Sequence, residues 1–429
     1  MNENTPSNPV SRRSVGMVAL VMLTFFVISL VTNVISAINP DVGQSFGLSL
    51  AFTGLLAFAF FVAYGVMSIP SGMLAERFRE KPVMIAAFGL ALGGALLISL
   101  WPSYQVFLVS LFLIGAGFAA LQVVINPLLR VAGGEGHYAF NSVLAQLIFG
   151  GASFLSPFIY TYFVQNIGRP GAEGKPLIGL MTKLVRPGLS WVSVYWVFAA
   201  ILLAMVAILL AARFPVVVRT DEERAGAWAT HKALLKNPTV LLFFLGIFTY
   251  VGTEQGVSFW ISKFLNIYHG YDPQTVGAHR VALFWLLMTI GGLLGLVLLK
   301  FVDSRKVLLG FTAAALVFLT LALFGPGRLA LVMFPLMGFA ASVMWPVIFS
   351  LALNSVSSHH GSFSGILCTG IIGGAVMPPV IGFLGSLIGL RQGMFVLYLT
   401  LGYILSIGIW ARPLIANETI ALKRKREAA

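Results

Sequence analysis

Apolar residues in this chain come in runs of about 20, one after another from end to end. Within a run they do not alternate with polar residues, so the runs do not read as barrel strands. Lipid offers no partner to backbone N–H and C=O groups, and a helix is the form such a run must take. Twelve spans are predicted, at 15–38, 49–71, 82–100, 104–128, 140–164, 190–213, 238–265, 280–300, 306–325, 329–354, 362–388 and 393–414. Most connections are short, so consecutive spans are expected as neighbours. The longest polar stretch, "RFPVVVRTDEERAGAWATHKALLKNP", divides the spans into two sets of six. The expected architecture is an all-α polytopic membrane protein. It comprises a tail 1–14, a six-helix bundle 15–213, a linker 214–237 with an amphipathic piece lying on the membrane, a second bundle 238–414, and a basic tail 415–429.

Composition agrees with this pattern. The chain is 58% hydrophobic with a mean hydropathy of +0.93, and only 10% of it is charged, where a soluble domain carries about 25%. The net charge of +13 would point to nucleic acid in a soluble protein. Here it changes a different reading, because the basic residues sit in short loops. Arg12, Arg13, Arg77, Arg79, Lys81, Arg130, the linker, Lys300, Arg305, Lys306, Arg412 and the tail "KRKR" fall on one side. They outnumber more than twofold the eight of the other side, from Arg169 to Arg391. Positive residues stay in the cytoplasm, so both termini are expected there, with no nucleic-acid partner. The start "SRRSVGMVALVML" has the look of a twin-arginine export signal, but its apolar run continues to about Ile38, beyond the roughly 7–15 residues of a signal segment. A single cysteine, Cys368, rules out a disulfide framework. The pair His359–His360 falls in a predicted loop, and no metal or cofactor is expected.

Against so apolar a background, individual polar residues carry the chemistry. Glu254 lies in "FTYVGTEQGVSFWISKF", well inside the seventh span. An acid at membrane depth costs several kcal/mol unless it faces water, pairs or takes a proton. Tyr250, Glu254, Ser258 and Ser262 recur every fourth residue and share a face, which is expected to line water or substrate. Asp41 sits near the outer end of the first span and is the other candidate for ion coupling. Gln122 and Asn126 lie one turn apart in the fourth span, where Pro127 frees a carbonyl. Ser142 and Gln146 share a face of the fifth span, as Asn33 and Ser36 do of the first. Amides and hydroxyls spread over several helices suit a neutral polyol, since they donate and accept in fixed directions. Helix-to-helix bonding is the competing reading for each. Trp260, Trp285 and Trp345 lie in or near spans, where a ring stacks on a sugar face or simply fills space. Pro378–Pro379 in the eleventh span forces a bend.

The two sets of spans look duplicated. "GFAALQVVINP" from Gly117 answers "GFAASVMWP" from Gly338, and "GMLAERF" from Gly72 answers "GLVLLKF" from Gly295. This resembles the parallel repeats of major facilitator transporters. "GMLAERFREKPV" is similar to the signature of that superfamily, with Gly72, Glu76, Arg77 and Lys81 as a charge cluster that would latch the two halves. Plain positive-inside anchoring is the alternative.

Longer strings narrow the resemblance. "YVGTEQGVSFW", "WPVIFSLAL", "IIGGAVMPPVIGFLG" and "LQVVINPLLRVAG" look like the fucose–galactose–glucose:proton symporter family, over roughly 20–160 and 240–390. The resemblance implies two pseudo-symmetric six-helix bundles, a monomer in a bacterial inner membrane, and transport of a hexose or deoxyhexose coupled to protons. It places Glu254 on an acid common in the family's seventh helix, Asn126, Pro127 and Gln146 on polar positions, and Trp345 on a cavity aromatic. Departures stand beside the matches: Ser36, Gln122 and Gly292 fall where the family has an aspartate, a glutamate and a frequent arginine. Coupling is therefore expected through Glu254, with Asp41 as a second candidate. Sodium coupling, passive transport, or export of a drug-like or metabolite solute are the alternatives. An intramembrane enzyme lacks support, since the sequence has no HExxH pair. The linker is short for a signalling domain.

Overall fold

The computed structural model describes residues 14–133, 138–169, 171, 175–214, 232–356 and 360–414. Among them, twelve helices are long and apolar enough to cross a membrane, from Val15–Ser45 to Leu390–Trp410. Each predicted span is present. Most of the linker, the surface-lying piece expected in it, His359 and nearly all of both tails lie outside the described residues. A short helix, Pro176–Leu184, between the fifth and sixth spans was not anticipated.

Local chemistry sets the ends of the spans. Before the seventh, Asn237 Oδ1 accepts the Thr239 N–H at 2.9 Å, and Pro238 opens the first turn, where no donor is needed. Gly270 closes the same helix at φ +69°, a conformation that a Cβ disfavours. The first span differs from expectation. It does not stop at residue 38. It breaks at Val34 and continues as a second helix, Ile35–Ser45, with Pro40 inside.

With six spans per half, Ser14, the linker and Leu414 share one end, called proximal below. There the Ser14 N–H donates to Ala132 O at 3.1 Å, and the Leu414 N–H to Asn354 O at 2.7 Å. The halves repeat each other in their close helix contacts. Gly115 of span 4 lies against the Phe60 carbonyl of span 2, and Gly338 of span 10 against the Phe284 carbonyl of span 8. Gly72 faces Val123 across the first pair, and Gly295 faces Val343 across the second. The glycine equivalent to Gly338 is thus Gly115, two residues before the one that the string match had paired. Small residues are what let these backbones approach.

The halves meet through spans 2 and 11, 5 and 8, and the second segment of span 1 with span 7. At Gly54 a Cβ would fall 2.6 Å from Pro379 Cα, and at Gly65 2.7 Å from Ile372 Cδ1. The hydrogen bonds seen between the halves gather at the distal end. Asn39 Nδ2 donates to Phe259 O at 2.7 Å, the Ala51 N–H to Ser386 Oγ at 3.1 Å, and Thr161 Oγ1 to Gln274 O at 2.7 Å. The molecule is sealed distally, and the polar residues at mid-depth lie proximal to that seal.

Candidate functional site

Glu254 stands halfway along span 7, Pro238–His269, and is half-buried while its helix neighbours 250–253 and 255–262 are all buried. Its surroundings follow from helical geometry. Thr253 turns to span 12, where its hydroxyl lies 2.6 Å from that of Thr400. Tyr250 turns to Trp345 of span 10, with ring centroids 6.0 Å apart. Gln255 turns to Gly374 of span 11. At 100° per residue, Glu254 therefore projects between spans 10 and 11. Both of its oxygens are held: Tyr250 Oη donates to Oε2 at 2.5 Å and Gln255 Nε2 to Oε1 at 2.8 Å. Phe61 of the other half touches the same glycine as Gln255, so the acid lies beside the junction of the two bundles. Trp345 is half-buried and stacks on Phe349 at 5.8 Å. An acid so placed can take and give a proton while the aromatic pair offers a flat apolar surface.

The other residues of that stripe behave differently. Ser258 and Ser262 are fully buried. Ser258 Oγ has no partner among the described residues, and Ser262 donates to Pro273 O at 3.2 Å. Of this stripe only Glu254 is more than slightly exposed, and Ser262 is covered by the turn that opens span 8.

In the N-terminal half the polar residues stand in different surroundings, one residue at a time. Asn33 is 3% exposed, and its amide donates to Ser153 Oγ at 2.8 Å and Ser29 O at 3.1 Å. Ser29 in turn donates to Phe149 O at 2.5 Å. Asn33 therefore bonds span 1 to span 5 in this structure, the helix-to-helix arrangement. Ser36 is likewise buried, at 3%. Gln146 is exposed and stands one turn proximal of Gly150, which rests on Thr289 of the other half. It therefore lies on the interface side of span 5. Ser142 is half-buried one turn further on, and so is Gln122 in the middle of span 4. Asn126 is helical, and its side chain lies outside the described part.

The two remaining assignments are also placed. Asp41 lies near the distal end of the continued first span, 8% exposed, 13 residues in sequence from Gly54 at the seal and on a different helix from Glu254. Lys81 Nζ donates to Leu210 O at 2.9 Å and Ala212 O at 2.8 Å, tying span 3 to the end of span 6 within its own half. Gly72 is buried, Arg77 is exposed over the Phe78 ring at 5.2 Å, and the Glu76 side chain lies outside the described part. In this conformation Lys81 caps a helix and does not reach the other half.

Sequence reasoning missed Ser29, Ser153, Tyr160, Gln255 and Gln274. Serines inside spans give no signal of their own, since they usually bond the carbonyl one turn back. Gln255 could have been found, as a second polar residue next to a membrane acid.

The family signature of the Major Facilitator Superfamily matches residues 21–371. The chain belongs to the major facilitator superfamily. It is accordingly a multi-pass membrane transporter and not an enzyme. Among its relatives, the glucose/galactose transporter of Brucella abortus biovar 1 (strain 9-941) is 29% identical over 418 residues, covering 93% of this chain and 95% of that one. The L-fucose-proton symporter of Escherichia coli (strain K12) is 26% identical over 403 residues, covering 88% and 89%. Solved structures agree on the fold. FucP in the outward conformation superposes with a TM-score of 0.67 at 23% identity over 92% of this chain and 98% of that one. A bacterial homologue of the lysosomal transporter Spinster, inward-facing, gives 0.69 at 19% identity, with coverage of 94% and 97%.

Proposed function

We propose that this facilitator moves a small neutral sugar, a hexose or deoxyhexose, by alternating access, and that proton movement at Glu254 drives it. One observation carries the reading: a half-buried carboxylate at mid-membrane, gripped by Tyr250 and Gln255, beside the joint between the two bundles. Substrate class comes from the relatives named for glucose, galactose and fucose. Glu254 and Trp345 would face the solute from one half, with Tyr250 holding the acid from behind, and Gln122, Asn126 and Gln146 from the other. The amides bind hydroxyls, and the ring packs on the apolar face of the sugar. The distal contacts support reading this as the state open toward the proximal end. The basic bias of that end supports a cytoplasmic position for it and for both termini, in a bacterial inner membrane. The reading is tested by uptake of labelled hexoses into proteoliposomes, with a proton gradient, a sodium gradient or neither. Accumulation with the proton gradient alone is expected. A sodium requirement or plain equilibration moves the coupling away from Glu254, and no uptake or exchange of any hexose ends the sugar assignment.

A further inference from the structure

Asp41 occupies an unusual position for a membrane carboxylate. It lies on the second helix of span 1, at the distal end, where that helix meets spans 5, 7 and 8. Tyr160 Oη of span 5 donates to Oδ2 at 2.8 Å, and Gln274 Nε2, at the start of span 8, reaches Oδ1 at 3.2 Å and Oδ2 at 3.1 Å. The backbone of Gln274 is held as well, because Thr161 Oγ1 donates to its carbonyl at 2.7 Å. Tyr160, Thr161 and Asp41 belong to one bundle and Gln274 to the other. One glutamine is thus gripped at both its side chain and its main chain by the opposite half.

Among the described residues no Lys, Arg or His pairs with Asp41. Lys263, one turn beyond the Phe259 carbonyl on span 7, makes no ion pair, and the His279 ring packs on Phe158 at 4.9 Å. Asp272, in the turn before span 8, is the other acid nearby, and it caps Gln274 N at 3.3 Å. A polar cavity of about 240 Å³, lined by Asp41, Gln44, Ser45, Ser190, Trp191 and Gln274, opens beside the bridge. The bridge therefore borders a polar cavity at the distal side of the seal. Donors that converge on a buried acceptor give bonds roughly twice as strong as neutral ones when that acceptor is ionised.

We propose that Asp41, Tyr160 and Gln274 form the bolt of the distal gate, a bridge that holds the halves together in the proximally open state and must be broken to expose the site to the far side. The proposal rests on the alternating-access reading above. It does not depend on which solute is carried.

The test uses the full chain in nanodiscs, with Cys368→Ser and spin labels on Lys183→Cys and Arg328→Cys, two exposed distal positions in different halves. Pulsed electron resonance then reads the distance across the gate. The background protein is expected to give one short population. Asp41→Asn and Gln274→Ala are each expected to raise the ratio of open to closed gate roughly tenfold, the scale of a lost charge-assisted bond. The double variant should go little further than either single one, because both remove the same bridge. Tyr160→Phe keeps the packing and removes one donor, so it should give a smaller shift in the same direction even where the other variants fold poorly. An unchanged distribution in all three, or strictly additive shifts, overturns the bolt. Hexose uptake by the unaltered protein is measured separately, so a wrong substrate class and a wrong gate give different failures.

Discussion

Each half of the molecule has a polar centre near mid-membrane, and the two are built for opposite ends. In the N-terminal half, Asn33, Ser29 and Ser153 consume one another's hydrogen bonds and leave almost nothing exposed. In the C-terminal half, Glu254 is also bonded at both oxygens, yet it keeps an open side next to Trp345 and the bundle junction. Residue type does not separate them, since amides, hydroxyls and acids are all polar groups in hydrocarbon. Exposure at equal depth does. A closed network holds helices together, and an open one is available to a solute or a proton.

That contrast can be broken most sharply at Glu254. Glu254→Gln keeps the shape and removes the proton, so gradient-driven accumulation should fall to the level of empty liposomes while sugar exchange persists. Accumulation that keeps its usual dependence on pH in this variant would falsify the coupling role. The N-terminal centre should answer in stability instead. Asn33→Ala is expected to lower unfolding free energy by about 1–2 kcal/mol, with an unchanged KM for sugar. A cycle with Ser153→Ala would show the coupling, and a raised KM would return Asn33 to the solute site. Trp345→Ala should raise KM by about 2- to 10-fold through lost ring contact, and Trp345→Phe should recover most of it. The smallest effect is expected at Lys81. Lys81→Met loses two carbonyl contacts at the end of span 6, worth about 0.3–1 kcal/mol, and should leave the uptake rate intact. Complete loss of uptake there would mean that Lys81 engages the other half in a state not seen here.

Much of the fold was legible in the sequence because bilayer thickness imposes it. An apolar run has one stable form in lipid, and the two sets of six follow from counting. The end of span 1 was not legible. Asn39, Pro40, Asp41 and Gln44 look like the start of a loop, and long-range partners on spans 5, 7 and 8 satisfy Asn39 and Asp41 within the helix. The same limit applies to the site. Helical spacing put Ser258 and Glu254 on one face correctly, but which part of that face stays open depends on where another helix crosses it. The identity of Glu254's second partner, Gln255, is local and was readable. The Ser29–Ser153 contact spans 124 residues and was not.

The seat of Gly54 on the Pro378–Pro379 backbone has a kinetic meaning. Neither partner carries a freely rotating side chain, so closing this joint freezes few rotamers and parting it releases few. A hinge surface of that kind adds little friction to a rocking motion, which leaves the speed of turnover to the polar contacts that flank it.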